Sequence, residues 1–286
     1  MKTRNLIIAG IIGTVLLGAF AYVKWRQNIY VMTGAGTETK KGVVYELPRT
    51  NDTMDSFDKK QFEIKDPHQK RALTYYWMEP DQSQPPGQKF PLVMILHDNS
   101  GHAYAAQYLK TPEMKRDFPA FIFVPVTPLS KAWAVPDKIN GVKAKEPSIF
   151  ADRQSLPDTI QIIQQLVNRY PVDPARIYVV GCADGAAGAY GAASRYPDLF
   201  AAAIPMSGNW DITDAPQMTR TPMWIFHGAK DKVYPAAAAH AMADSIKNHG
   251  GNVRYTELPD MGNDCASPLL YEKETWKWLF SQKKPG

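Results

Sequence analysis

The sequence predicts a doubly wound α/β domain, built on a mostly parallel sheet with helices on both faces, and a transmembrane helix before it. From residue 72 onward, short runs rich in β-branched and aromatic residues alternate with longer runs of helical period. An uncharged apolar run fills residues 6–23. The 286 residues are 44% hydrophobic, which suits one large globular domain. We therefore assign residues 61–286 to a single folded domain.

The elements of this domain follow from the period of the apolar residues. Strands are predicted at 72–78, 90–96, 120–126, 176–181, 201–206, 222–227 and 253–258, and helices at 156–169, 185–196, 236–249 and 271–281. The period is clearest in helix 156–169, where Leu156, Ile160 and Ile163 recur at three- and four-residue steps. Pro171 ends that helix.

Residues 127–154 form an insertion, rich in Pro and Lys, between a predicted strand and a predicted helix. In an α/β sheet such an insertion overhangs the carboxyl ends of the strands, where ligands bind. The insertion is therefore interpreted either as a lid over a site or as a long surface loop.

The N-terminal segment predicts export or membrane insertion. Residues 1–23 have a basic start and an apolar centre of 18 residues, at the length threshold for a spanning helix. A membrane anchor is favoured, and a cleaved signal peptide is the alternative. Basic residues flank both ends of the run, so they give no clear orientation. From the export-like start we expect the domain outside the cytoplasm, in the periplasm. Residues 24–60 are interpreted either as a linker or as an irregular strap on the domain.

The charge pattern argues against nucleic acid as a partner. The net charge of +5 comes from basic pairs that are scattered along the chain. A nucleic-acid-binding protein concentrates its cations on one face with aromatic residues between them, and no stretch here does so. No cofactor is predicted.

Residues 176–208, RIYVVGCADGAAGAYGAASRYPDLFAAAIPMSG, carry a family resemblance. This run resembles the strand–elbow–helix–strand core of the α/β-hydrolase superfamily, above all the polyhydroxybutyrate-depolymerase-like and feruloyl-esterase-like carboxylesterases and their prolyl-oligopeptidase-like relatives. Stretches 91–98, 170–178 and 222–235 match as well, so that the likeness extends over residues 62–281. It implies a sheet of the α/β-hydrolase type.

The resemblance also locates a catalytic triad, and two of its three members are altered. The nucleophile position in the elbow motif G-x-S-x-G falls on Ala183, the acid on Asp231 and the histidine on Asn263. Losing nucleophile and base together costs roughly a millionfold in turnover. An asparagine amide donates N–H groups, so we expect Asn263 to hydrogen-bond the Asp231 carboxylate without transferring protons.

The oxyanion-loop positions implied by the resemblance are Asp98, Asn99 and Asp184. After predicted strand 90–96, the family usually has a histidine followed by glycine. Here the chain has His97 followed by Asp98. A carboxylate facing the pocket would repel an anionic intermediate. The alternative is that Asp98 caps its own turn, beside Asn99 and Ser100.

The sequence offers other residues that could replace the triad, but none has a complete set of partners. Shifting the elbow by one residue would centre Asp184, as in dehalogenase-like members, but would require an insertion or deletion. Ser100 and Ser207 lie near the expected site without an evident base. We expect the pocket-side histidines, His97, His102 and His227, to make local hydrogen bonds.

The two cysteines, Cys182 and Cys265, lie close to the nucleophile and histidine positions. Some feruloyl esterases bridge cysteines that flank those two residues, so the resemblance implies a disulfide between the two loops. Two reduced, buried thiols are the alternative.

A metal site is not predicted. The carboxylates of Asp98, Asp184, Asp231 and Asp264, with His97 and His102, show no recognised ligand spacing.

Two functions remain after these considerations. The first is a catalytically inactive, membrane-tethered protein that binds a protein partner, a glycan or a small ligand, as an accessory subunit of a membrane complex. The second is an exported esterase or peptidase that uses non-standard catalytic residues. The departures at Ala183, Asn263 and Asp98 favour the first.

Overall fold

The computed structural model describes residues 54–65, 71–81, 87–128, 131–136, 138–139, 142–143 and 154–285. They form an eight-stranded sheet in the order β1-β2-β4-β3-β7-β8-β9-β10. The strands are β1 Asp58–Ile64, β2 Arg71–Met78, β3 Phe90–Leu96, β4 Phe121–Pro125, β7 Val172–Cys182, β8 Ala202–Met206, β9 Met223–Gly228 and β10 Val253–Leu258. The pairs β1/β2 and β2/β4 are antiparallel and the others parallel, which confirms the mostly parallel sheet.

Helices connect the strands. They are α1 Tyr104–Leu109, α2 Pro112–Asp117, α3 Leu156–Arg169, α4 Asp184–Arg195, α5 Ala236–Asn248 and α6 Lys273–Ser281, with 3-10 helices at Ile212–Met218 and Pro268–Tyr271. A separate two-stranded ribbon pairs β5 Lys138–Ile139 with β6 Val142–Lys143.

Two hydrophobic clusters cover the two faces of the sheet. In β3, Leu92 and Met94 belong to one cluster while Val93 and Ile95 belong to the other, as expected for a buried strand whose side chains alternate. Helices α3, α4 and α5 pack on the first face, and α1 and α6 on the second. This is the doubly wound arrangement that the sequence predicts.

The start of the folded domain differs from the prediction. Residues 24–60 are predicted to be a linker or an irregular strap on the domain, and their described part belongs to the domain. Strand β1 begins at Asp58, and both Met54 and Phe57 are buried in the second hydrophobic cluster. Because β1 is an edge strand with a largely exposed side-chain pattern, its apolar period is weak. The domain therefore starts before residue 61.

Only part of the predicted insertion 127–154 is described. Its residues 131–136 lie against the domain, where Trp133 and Ala134 are buried. The predicted membrane segment, residues 6–23, lies outside the described residues. No helix in the described ranges has the length and apolarity needed to cross a bilayer.

Candidate functional site

Ala183 forms the sharp turn between β7 and α4. Its φ of 51° and ψ of −115° lie in a region that residues with a side chain rarely adopt. Ala183 N–H donates to the Met206 carbonyl at 3.0 Å, which ties the turn to β8. The turn thus has the strained strand-to-helix conformation of a nucleophile elbow, with a methyl group at its centre.

Gly181 and Gly185 are required by the packing of this turn. A Cβ on Gly181 would overlap the Gly185 carbonyl oxygen, and a Cβ on Gly185 would overlap the carbonyl oxygen of Leu96 in β3. Both obstacles are backbone atoms, which cannot rotate away. The two glycines therefore hold β7, α4 and β3 in close approach, whatever residue occupies position 183.

The Asp231 carboxylate lies in the loop after β9, with its side chain fully buried. Its Oδ1 accepts hydrogen bonds from the backbone N–H of Val233 at 2.8 Å and of Tyr234 at 2.9 Å. Its Oδ2 accepts from Asn263 Nδ2 at 2.9 Å, as expected from the sequence. These donors replace the water that burial removes from the carboxylate.

Asn263 Nδ2 also donates to the Ser207 carbonyl, at 3.3 Å. The amide therefore uses its N–H groups to fix two neighbouring loops. An amide does not accept a proton near neutral pH, so this contact holds the structure and does not supply a base.

His227, at the end of β9, is the other side chain close to Asp231. Its Nε2 lies 2.8 Å from the Tyr234 carbonyl and 3.3 Å from Asp231 Oδ2, while its Nδ1 is buried without a hydrogen-bond partner among the described residues. Ser207 follows β8 beside it, since Ser207 N–H donates to the Phe226 carbonyl. The Ser207 hydroxyl is fully buried and also lacks a hydrogen bond within the described ranges. No nucleophile–base hydrogen bond joins this pair.

His97 has a structural role at the end of β3. Its Nδ1 donates to the Asp98 carbonyl at 2.6 Å, and its Nε2 accepts from Thr127 N–H at 3.0 Å. Burial lowers the pKa of His97, which keeps the ring neutral. With both nitrogens engaged, His97 is not free to accept a substrate proton.

Asp98 caps its own turn, which is the second of the two alternatives. Its Oδ1 accepts from the N–H groups of Ser100 at 2.8 Å and His102 at 2.9 Å, and its own N–H donates to the His102 carbonyl at 3.1 Å. That N–H is therefore not available to an oxyanion. Asn99 lies at the exposed tip of the same turn.

Asp184 is the first residue of α4 and is partly buried. The Tyr234 hydroxyl donates to its Oδ1 at 3.2 Å, a contact for which the sequence gives no signal. Burial raises the pKa of the Asp184 carboxyl, and this hydrogen bond opposes the rise. Burial and the nearby carboxylate also raise the pKa of Tyr234, to about 12, so Tyr234 remains a donor.

A disulfide joins Cys182 to Cys265, as the resemblance implies, and the alternative of two reduced thiols does not hold. Cys182 directly precedes Ala183, and Cys265 is two residues after Asn263. The bridge thus fastens the elbow to the loop that carries the amide.

A cavity of about 220 Å³ lies beside the elbow. Its walls include His97, Asp98, Thr127, Lys131, Trp133 and Asp184. The side chain of Trp133 is anchored because its Nε1 donates to the His97 carbonyl at 2.9 Å and its ring meets the His97 ring edge-on at 4.8 Å. Residues 131–134 of the insertion are therefore a fixed wall of this cavity.

The described residues contain no group of three or more His, Cys, Asp or Glu side chains arranged to hold a metal ion. Asp98, Asp184 and Asp231 each make separate contacts, and Asp264 accepts from the N–H of Ala266 in its own loop.

Solved structures with the same architecture are hydrolases. A thermostable esterase is 27% identical, with a TM-score of 0.70 over 81% of this chain. The chain has the α/β-hydrolase fold. An acylaminoacyl peptidase from Pyrococcus horikoshii is 16% identical, with a TM-score of 0.56 over 78% of this chain. A protein assigned as a dienelactone hydrolase, from Klebsiella pneumoniae subsp. pneumoniae, is 13% identical, with a TM-score of 0.56 over 79%. The last two likenesses show the fold alone.

The coverage of these relatives is uneven. This chain spans 64% of the esterase chain, 41% of the acylaminoacyl peptidase and 98% of the Klebsiella protein. No protein-family model matches the chain, and neither does any curated protein sequence.

Proposed function

We propose that the chain is a catalytically inactive α/β-hydrolase-like protein that is tethered to the membrane through residues 6–23 and acts as a binding or accessory subunit of a membrane complex. The observation that carries this proposal is the contact at 2.9 Å between Asn263 Nδ2 and Asp231 Oδ2. An amide occupies the place of the catalytic histidine, and Ala183 occupies the place of the nucleophile.

The chemistry of these two residues supports inactivity. A methyl group has no lone pair with which to attack an acyl carbon, and an amide does not accept the proton that a nucleophile must lose. Removing nucleophile and base together lowers turnover by roughly a millionfold. Binding is then the function left to the site, and the elbow, the buried acid and the cavity give it a fixed shape.

A fluorophosphonate serine-hydrolase probe tests the proposal on the purified protein. We expect no labelling of the native chain. The double variant Ala183→Ser/Asn263→His is the control for access, because the elbow conformation and Asp231 are already in place, and we expect it to be labelled. Covalent labelling of the native chain would contradict inactivity.

An exported esterase or peptidase with non-standard residues remains the second candidate. It is favoured by one observation, the position of Ser207 next to His227, whose Nε2 lies 3.3 Å from Asp231 Oδ2. The burial of Ser207 argues against it. Labelling of the native chain that disappears in the variant Ser207→Ala would establish this candidate.

The tether and the partner are tested by isolation from native membranes. We expect the full chain in the membrane fraction and the chain without residues 6–23 in the soluble fraction. We expect a membrane protein to co-purify with the full chain in mild detergent. Protease digestion of intact cells and of spheroplasts would show which side of the membrane carries the domain.

A further inference from the structure

The cavity beside the elbow is held open by contacts of its own walls. The Leu156 N–H donates to the Trp133 carbonyl at 3.0 Å, the Ser155 N–H donates to the Ala132 carbonyl at 2.9 Å, and Trp133 Nε1 donates to the His97 carbonyl. A ligand that enters this cavity does not have to order these walls, so little of its binding energy is lost to rearrangement.

Two carboxylates in the cavity wall have unused hydrogen-bonding capacity. In Asp98, Oδ1 takes both backbone hydrogen bonds and lies 3.7 Å from His102 Nδ1. In Asp184, Oδ1 takes the hydrogen bond from the Tyr234 hydroxyl. None of the described residues donates a hydrogen bond to Oδ2 of either carboxylate. Each group is largely screened from water, so an incoming N–H donor would satisfy an acceptor that the protein leaves open.

Among the described residues of the cavity wall, the cations do not balance these two carboxylates. Lys131 lines the cavity, but its Nζ lies 3.5 Å from the buried carboxylate of Asp158 and pairs with that group. His97 is neutral, since both its ring nitrogens are engaged. The described wall therefore has an excess of negative charge in a partly desolvated space, where a charge-assisted hydrogen bond is stronger than in water.

We propose that this cavity binds a small primary alkylammonium ion, held by N–H donation to the Oδ2 atoms of Asp98 and Asp184, with its alkyl chain along Trp133. The inference rests on the proposed function, since a site without a nucleophile leaves a bound amine unchanged. The ligand must be small, because about 220 Å³ is below the 300–1,000 Å³ that is typical of sites for drug-sized ligands. It must carry N–H groups, because the open groups are hydrogen-bond acceptors.

Isothermal titration of the full chain in detergent with n-butylammonium tests this site. The comparison ligands are n-butanol, which lacks the charge, tetramethylammonium, which lacks the N–H donors, and calcium chloride, which supplies a hard cation. We expect saturable binding of n-butylammonium at least tenfold tighter than that of any comparison ligand.

Two variants locate the ligand. Asp184→Asn and Asp98→Asn keep an Oδ1 acceptor for Tyr234 and for the turn, so both should fold while they lose the negative charge. Each should weaken n-butylammonium binding at least tenfold. Asp260→Asn is the matched control, since Asp260 is 93% exposed and pairs with Lys230 outside the cavity, and it should bind as the native chain does.

Three results would overturn the inference: no saturable binding of n-butylammonium, equal or tighter binding of a comparison ligand, or unchanged affinity in both cavity variants. The fluorophosphonate probe, applied to the same preparations, separates the two proposals. A chain that binds n-butylammonium and is also labelled would agree with the amine site and contradict the proposed inactivity. A chain that is not labelled and does not bind n-butylammonium would agree with the proposed inactivity and exclude this amine site.

Discussion

The elbow is held in place in a different way from the acid loop, the two adjoining segments after β9 and β10 that carry Asp231 and Asn263. At the elbow, Ala183 keeps the φ of 51° that a nucleophile needs, although no nucleophile is present. In the acid loop, Asn263 takes over the hydrogen bond to Asp231 that a histidine would otherwise make. One region has a strained backbone around a methyl group, while the other has a buried carboxylate held by an amide donor.

The difference shows which forces hold each region. A strained backbone persists only where the surrounding structure determines it, and here Gly181 and Gly185 lock β7 and α4 together regardless of the residue between them. A buried carboxylate, in contrast, loses stability at once if a donor is missing. The elbow is thus maintained by steric packing, and the acid loop by hydrogen bonds.

Gly181→Ala should break the elbow and have the largest effect. The new Cβ would overlap the Gly185 carbonyl oxygen, so strand and helix must separate, and we expect a loss of about 4 kcal/mol or more in the free energy of unfolding. Urea denaturation measures this loss. The control is Gly262→Ala, whose Cβ would meet only the Lys230 carbonyl oxygen, at 3.7 Å. Equal stability of the two variants would mean that packing does not hold the elbow.

Removing the disulfide should uncouple the two regions. Cys182 and Cys265 are 83 residues apart. Closing a loop of that length lowers the entropy of the unfolded chain by an amount worth about 4.5 kcal/mol, of which about 2–4 kcal/mol is typically observed as stability. We expect the variant Cys182→Ala/Cys265→Ala to unfold at lower urea than the oxidised native chain. The reduced native chain is the control and should approach the variant. Identical midpoints for oxidised and reduced native protein would contradict this role.

Asp231→Ala should disrupt the acid loop by a smaller amount. It leaves the N–H groups of Val233, Tyr234 and Asn263 without an acceptor, which costs about 2–3 kcal/mol. Asn263→Ala removes one donor and should cost about 1 kcal/mol. Urea midpoints of the two variants and of the double variant form a cycle. Additive losses would show that the 2.9 Å contact contributes nothing to stability.

Ala183→Gly should have the smallest effect, in the opposite direction. Glycine removes about 1–3 kcal/mol of backbone strain at this φ, and the greater freedom of the unfolded chain offsets about 0.4–1 kcal/mol of it. We expect a net gain of about 1 kcal/mol in the free energy of unfolding. Thermal and urea denaturation measure it, with Ala187→Gly, inside helix α4, as a control that should lose stability. A less stable Ala183→Gly chain would mean that the turn is not strained.

The sequence predicts the interior of the fold better than its margins. Helix α3 was predicted with its observed bounds, 156–169, because its apolar period is strong. Strand β1 was missed because only one of its seven residues, Ile64, is buried, and an edge strand needs no apolar face. Helices α1 and α2 were missed because six residues are too few to show a period.

The candidate site, like the fold, is predicted from the sequence only in part. The hydrogen bond between Asn263 and Asp231 follows from the positions of both residues in the resemblance together with amide chemistry. The hydrogen bond from Tyr234 to Asp184 links residues 50 positions apart, and only the folded chain brings them together. For Asp98, the sequence left two roles open, and the turn that follows it decided between them.

The carbonyl group of His97 is a meeting point for three distant segments of the chain. It accepts from Trp133 Nε1 at 2.9 Å, it belongs to the segment that ends β3, and it lies 3.0 Å from where a Cβ on Gly185 would be. Substitutions at these three residues should therefore show epistasis, with coupling energies of about 0.5–3 kcal/mol. Loss of the Trp133 hydrogen bond would free the His97 carbonyl to shift, but the Leu96 carbonyl oxygen, 2.1 Å from the same Cβ position, would still exclude a side chain at position 185.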